Sequence, residues 1–329
     1  MPRPTEITFQ AGEITLAGEL LLPEADPRAE IVGRHPWVLL VAAGLPRDRD
    51  GALDRERHPG WFAPAAPMPE ASAGLLRRLA HALADRGVAS FRYDTRGCGA
   101  SEGDWAASDL FTRIDDARDA LGAMRGRREL DLSRTGMIGH GEGATIALSV
   151  AIPDPAISAM TLVGAAARSP RDGLRRAVAV RGRTGVDRQH PLVAALDRLS
   201  EELIERVARH ETEMRLPLGD GAPSARLNLA AFEQAFATAP VALATMLHRS
   251  VALVHGADDA WNHPDESRLL QAILRSAGND PTLRVVDGGH DLAGVPDAVI
   301  GELAVDLAER IAPVALPPVL AAIQPGDHP

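Results

Sequence analysis

The sequence predicts an α/β fold: a mostly parallel sheet flanked by helices, with a helical insertion ahead of its last strands. Three observations predict it. Short continuous apolar runs, Trp37–Ala43 and Val88–Tyr93 among them, lack the alternation of half-exposed strands and read as strands buried on both faces. Segments with apolar residues at helical spacing separate these runs, the pattern of parallel strands joined by crossover helices. That rhythm stops between about Ala165 and Arg249 and resumes at Ser250–Gly256.

In chain order, Ile7–Phe9 and the alternating segment Glu13–Pro23 read as an antiparallel pair, the second an edge strand. Trp37–Ala43 leads into a long loop rich in Pro, Gly, Arg and Asp, Gly44–Ala71, and then a helix over Leu75–Arg86 with Leu75, Leu76, Leu79 and Leu83 on one face. Val88–Tyr93, Thr135–Gly139 and Ser158–Gly164 are the next strands, with helices over Asp109–Met124 and Ala144–Ala151 between them. Leu196, Leu199, Leu203 and Val207 form a helical stripe inside the insertion, where no strand is evident. After Ser250–Gly256 come a helix near Glu266–Ala277, a strand at Thr282–Val286 and a helix from Asp297 to Ile311; the Pro-rich end reads as a loose tail. The expected division is a core of 1–164 and 250–312, a helical lid or cap of 165–249 and a tail of 313–329.

Composition narrows the function classes. The chain of 329 residues carries 35 Lys and Arg against 45 Asp and Glu, a net charge of −10, which argues against general nucleic-acid binding. No apolar run approaches membrane-spanning length, and the first residues lack the pattern of a secretory leader. Cys98 is the single cysteine, so no intrachain disulfide forms, and no zinc-type Cys/His spacing is evident. The expectation is a cytoplasmic protein with a small-molecule substrate or ligand, no cofactor, no metal, and no nucleic-acid or membrane partner; the sequence does not set the oligomeric state.

The chemistry-bearing segment is Gly139-His140-Gly141-Glu142-Gly143, between an expected strand and an expected helix. That is the context of the nucleophile elbow G-x-S-x-G, whose central residue is lifted over the sheet on a strained turn; here the centre is Gly141. Three further stretches go with it: Pro46-Arg47-Asp48-Arg49-Asp50-Gly51, Arg92-Tyr93-Asp94-Thr95-Arg96-Gly97-Cys98-Gly99-Ala100-Ser101, and His255-Gly256-Ala257-Asp258-Asp259. On these four motifs the chain resembles the bacterial serine ester hydrolases of the α/β-hydrolase fold family whose elbow reads G-H-S-E-G-G. The resemblance spans roughly Ile7 to Ile311 and is weakest across the insertion.

The resemblance implies an α/β-hydrolase fold with a lid and a site in the order nucleophile, acid, histidine. Asp259 falls at the acid position, with Asp258 as its rival, and His290 follows 31 residues later (290 − 259) in Gly288-Gly289-His290-Asp291. Oxyanion donors are expected from the backbone N–H of Glu142 and of Gly44 or Leu45; the family's usual H-G is replaced by Ala42-Ala43 just before them. The implied ancestral chemistry is hydrolysis of a carboxylic ester, thioester or lactone. Glycine cannot attack a carbonyl, so three readings of Gly141 stand open. The chain is a natural member that has lost the nucleophile, either binding a ligand without turnover or using the His290–Asp259 pair as a base. It is a substituted, inactive form of a serine hydrolase. Or the nucleophile is displaced, with Cys98 or Ser101 as candidates and Thr145 and Ser149 pointing elsewhere. His140 and His263 read as structural. Seven arginines at 168, 171, 175, 176, 181, 183 and 188, against Asp172 and Asp187, read as a solvated linker before an anion site; Trp61, Phe62, Trp105 and Trp261 lie in loops able to reach a pocket.

Overall fold

A computed structural model of the chain describes residues 2–24, 34–42, 44–58, 74–175, 191–216, 224–259 and 261–323. The strands are β1 Arg3–Ala11, β2 Ile14–Leu22, β3 His35–Val41, β4 Ala89–Tyr93, β5 Leu130–His140, β6 Ile157–Val163, β7 Glu213–Leu216, β8 Ala225–Asn228, β9 Ser250–Gly256 and β10 Thr282–Val286. The helices are α1 Leu75–Ala84, α2 Leu110–Arg125, α3 Glu142–Ala151, α4 Pro191–Ala208, α5 Leu229–Ala237, α6 Pro240–Ala244, α7 Asp265–Ser276, α8 Asp297–Arg310 and α9 Pro318–Ile323.

Eight strands form one sheet in the order β1-β2-β4-β3-β5-β6-β9-β10, antiparallel at the β1–β2 and β2–β4 pairs and parallel from β4 to β10. The apolar runs are continuous because both faces are covered. On β3, Trp37, Leu39 and Val41 pack with residues of α2, α3 and α7, while Val38 and Leu40 pack on the other face with α1 and α8. Helix α1 turns Leu75, Leu76, Leu79 and Leu83 inward, the face its spacing predicted. Asp109 caps α2 by accepting the Thr112 N–H at 2.8 Å, so that helix starts one residue after the expected position.

Three expectations are corrected. The Glu13–Pro23 segment is not an edge strand: β1 lies outside it, and β2 is buried against β4. The 165–249 segment is not without strands, since β7 and β8 pair as a short antiparallel hairpin. At four residues each and mixed polarity, they give no alternation long enough to read. The stretch after Pro313 is docked as far as α9: the Val314 N–H donates to the Ser133 carbonyl at 2.9 Å, and Leu320 is buried. The hairpin, α4 and α5 share a small core of Leu203, Val207, Met214, Leu227 and Leu229, with Leu199 partly buried against it.

Candidate functional site

The parallel strands end along one edge of the sheet, and the site is assembled from the loops that leave them. At the end of β5, Gly141 has φ 55° and ψ −118° and stands as the residue before α3. An L side chain is strained at such an angle and glycine is not, so the turn is made where glycine suits it. The Gly141 N–H donates to the Val163 carbonyl of β6 at 2.8 Å, which fixes the turn to the neighbouring strand. The first free N–H groups of α3, starting with Glu142, emerge here. Gly44, in the loop after β3, lies against the Glu142 carboxylate: a Cβ built on Gly44 would stand 2.8 Å from Oε2. Glu142 is held by Arg113, whose guanidinium donates to Oε1 at 2.6 Å. Leu45 packs toward the small core of the 165–249 segment.

Asp259 and His290 come together. His290 Nδ1 lies 2.8 Å from Asp259 Oδ2, both side chains buried. A carboxylate only accepts, so the Nδ1 proton sits in this bond and Nε2 keeps its lone pair for proton transfer. Asp259 is fixed from every side. Its Oδ1 accepts the N–H groups of Trp261 and Asn262, each at 2.8 Å, and His255 Nε2 lies 3.2 Å from Oδ2. His255 is itself anchored by Ser267 Oγ at 2.6 Å. Burial alone would raise the Asp259 carboxyl; the charge of His290 and the hydrogen bonds from His255 and His290 outweigh it and hold the group below the usual carboxylate range. Burial pulls His290 down, but the charge and hydrogen bond of Asp259 prevail and hold its imidazole above the ordinary histidine value.

A second histidine–aspartate layer lies behind the first. The rings of His140 and His290 are 4.7 Å apart, so His290 sits beside the Gly141 turn. His140 Nε2 donates to the His290 carbonyl at 3.0 Å and lies 3.3 Å from Asp291 Oδ1. Burial, and then the neighbouring His290, push the His140 imidazole down to about 3, so it is neutral and acts as a hydrogen-bonding strut. Asp291 pairs with the buried Arg47 guanidinium at 3.0 and 3.1 Å, and Arg47 also donates to the Gly51 carbonyl. His140, His290 and Asp291 present three potential metal-ligand atoms within 4.8 Å of one another. Arg47 already neutralises Asp291, and the His290 Nδ1 proton is committed to Asp259, so the grouping reads as an ion-pair and hydrogen-bond network, with His140 Nδ1 left without a partner among the described residues.

The remaining sequence candidates separate clearly. Asp258 is exposed and Asp259 buried, so only the latter meets His290. Ser101 Oγ donates to the Asp94 carbonyl at 2.7 Å and accepts the Ala17 N–H at 3.0 Å, a loop-holding role. Cys98 is buried with Sγ 3.5 Å from His58 Nε2, and burial pushes its thiol up to about 12, away from the nucleophilic thiolate. Ser149 Oγ donates to the Thr145 carbonyl within α3 at 2.9 Å. His263 is exposed and pairs with Asp265 at 3.3 Å. Of the arginines, Arg168 pairs with Glu266, Arg171 with Asp172 and Arg175 with Glu201; 176, 181, 183 and 188 lie outside the described residues, as do Asp187, Trp61 and Phe62. Trp105 stacks under the Arg113 guanidinium, and Trp261 packs on the small core of the 165–249 segment.

Sequence reasoning missed Gly164, Asn262 and the Arg47–Asp291 pair. Gly164, at the end of β6, has φ 56°, and a Cβ there would stand 3.1 Å from the His290 ring and 3.3 Å from Asp259 Oδ2. Asn262 donates to its carbonyl at 2.7 Å. A glycine directly after a buried strand was the available signal for the first; Arg47 and Asp291 each stood in a quoted motif, but nothing in the chain shows that they meet. A cleft of about 790 Å³ between the β1–β2–β4 end of the sheet and α1, bordered by Glu19, Arg49, Arg77, Arg92 and Asp94, shares none of these residues. Arg49, Arg77 and Arg92 are all in ion pairs.

A mostly parallel eight-stranded sheet with a strand–Gly141–helix turn and an acid–histidine pair on the later loops defines an α/β hydrolase. The family described as serine aminopeptidase, S33, matches residues 70–294, and the chain belongs to that family of α/β hydrolases. Solved structures agree on the fold. Est1E from Butyrivibrio proteoclasticus, seen with ferulic acid bound, is 15% identical with a TM-score of 0.62, over 93% of this chain and 99% of that one. The esterase domain of a Rhodothermus marinus protein is 17% identical with a TM-score of 0.57, over 94% and 100%. The Pyrococcus horikoshii acylaminoacyl peptidase is 14% identical with a TM-score of 0.57, over 98% of this chain and 44% of that one. No curated protein sequence gives a significant match.

Proposed function

We propose that the chain binds a small carboxylic ester, thioester or lactone at the Gly141 turn and hydrolyses it slowly, with His290 acting directly on water. The observation that carries this reading is the 2.8 Å His290–Asp259 hydrogen bond, complete beside a turn that has lost its side chain. His290 Nε2 takes a proton from water as the water oxygen bonds to the acyl carbon; the carbonyl electrons move onto oxygen and are stabilised by the Glu142 N–H and a second N–H from Gly44 or Leu45. The tetrahedral adduct then collapses, the acyl–oxygen or acyl–sulfur bond breaks, and His290 returns its proton to the leaving group. Asp259 stabilises the imidazolium between the two steps. No acyl-enzyme forms. The oxyanion donors and binding alone sustain about 10³–10⁴-fold acceleration over water in sites of this kind that lack part of the triad.

The 165–249 segment is the lid in this reading. Its small core takes in Leu45 from the loop after β3 and Trp261 beside Asp259, so it rests on the rim of the site. The family's matched description and the esterase neighbours support an acyl substrate. A panel of esters, thioesters and lactones tests the proposal: turnover falls about 10²–10⁴-fold in His290→Ala. Because the base is neutral His290 and its pKa is raised, the rate rises with pH through a pKa above 6.5, the ordinary value. Turnover that persists unchanged in His290→Ala rules the proposal out. Binding of an ester with no turnover at all establishes the second reading, favoured by Gly141 itself: a pseudohydrolase that holds its ligand.

A further inference from the structure

We propose that Asp54, His58 and Cys98 form a binding site for a divalent cation of the zinc class, clamping the loop after β3 to the loop after β4. Their donor atoms, one carboxylate oxygen, one imidazole nitrogen and one sulfur, all lie within 4.8 Å of one another. Cys98 Sγ and His58 Nε2 are 3.5 Å apart. A tetrahedral ion with a zinc–sulfur bond of about 2.3 Å and a zinc–nitrogen bond of about 2.0 Å sets those two ligands about 3.5 Å apart, the spacing already present at this edge. Asp54 is held in place by the Gly99 N–H on Oδ2, at 2.7 Å, and the Arg57 N–H on Oδ1, at 3.0 Å. Each carboxylate oxygen retains a further lone pair for a cation. His58 Nε2 lies 2.9 Å from the Gly97 carbonyl; in the bound form its ring carries the proton on Nδ1 and turns the Nε2 lone pair to the ion. The thiol proton leaves to solvent, and one carboxylate and one thiolate balance the ion's two charges.

Mixed oxygen, nitrogen and sulfur donors select zinc and its neighbours over magnesium or calcium, and three protein ligands leave a fourth position for water. The two loops are already stitched by the Thr95 hydroxyl donating to the Arg47 carbonyl at 2.7 Å and by the Arg57 guanidinium donating to the Ser101 carbonyl at 2.8 Å. The first of these loops also carries Gly44 and Leu45, so an ion held at Asp54 and His58 stiffens the segment that leans on Glu142. Sequence alone hides this grouping because Cys98 lies forty residues from His58 (98 − 58) and lacks a second cysteine.

The single cysteine makes the test clean. Chelator-treated protein titrated with Co²⁺ takes up one ion per chain and develops a thiolate-to-cobalt charge-transfer band, which can arise only from Cys98. The band vanishes in Cys98→Ser, and affinity falls at least tenfold in His58→Gln and in Asp54→Asn. Should Cys98→Ser not fold, Zn²⁺ added to the unsubstituted protein slows the reaction of Cys98 with a thiol reagent. Co²⁺ uptake without the band, no uptake, no protection of the thiol, or a band that survives both His58→Gln and Asp54→Asn overturns the proposal. None of these readouts depends on hydrolysis, so the site fails or stands apart from the proposed acyl chemistry.

Discussion

Gly164 shows how closely the residues around His290 are fitted. Alanine at its φ of 56° costs about 1–2 kcal/mol in backbone strain. The new Cβ would also reach 3.1 Å from both His290 Cε1 and Nδ1. The ring must give by a few tenths of an ångström to accommodate it, which disturbs its bond to Asp259. Gly164→Ala is therefore expected to lower kcat tenfold or more while the protein still melts cooperatively; an unchanged kcat would show that the His290–Asp259 bond does not set the rate. Asp259 and His290 were legible in the chain because each follows a strand end in the order this fold uses. Gly164 was not, because its importance lies in space rather than in a motif: the strand it ends is neighbour to two others in the sheet, and no spacing along the chain encodes that.

At the scale of elements, the strand ends set the site and the loops hold it. The Arg47–Asp291 pair joins the loop after β3 to the loop after β10 across 244 residues and is shut away from water. Removing one partner of such a pair leaves an uncompensated buried charge, costing about 3–5 kcal/mol. Denaturant unfolding of Arg47→Met should show a loss of that size, largely recovered in the Arg47→Met, Asp291→Asn double variant. A single variant as stable as the parent would mean that water or another group satisfies Asp291. The strands and helices themselves were readable from apolar runs and helical stripes, usually within a few residues. The β7–β8 hairpin and α9 were not, since short segments carry too few residues for a period to emerge and depend on the surface they dock against.

For the molecule as a whole, two bodies of packing matter: the sheet with its helix layers, and the small core of the 165–249 segment. Leu203 is nearly fully buried in the latter. Leu203→Ala costs about 2–5 kcal/mol where a buried leucine is truncated. That loss should appear as limited proteolysis within 165–249 ahead of the sheet, with KM raised more than kcat is lowered. Equal loss of both bodies in one transition would show that the segment is not a separately yielding lid. The strand–helix rhythm carried the fold class and its break marked out 165–249, while the β7–β8 hairpin and the small core of that segment are visible only in the folded chain.

In the proposed function Gly141 is the single missing group of the site. Gly141→Ser tests this most directly. If His290 and the N–H groups of the turn serve as base and oxyanion donors, the introduced serine is labelled by a fluorophosphonate probe, and labelling is lost when His290→Ala is added. A folded Gly141→Ser protein that stays unlabelled would contradict the account.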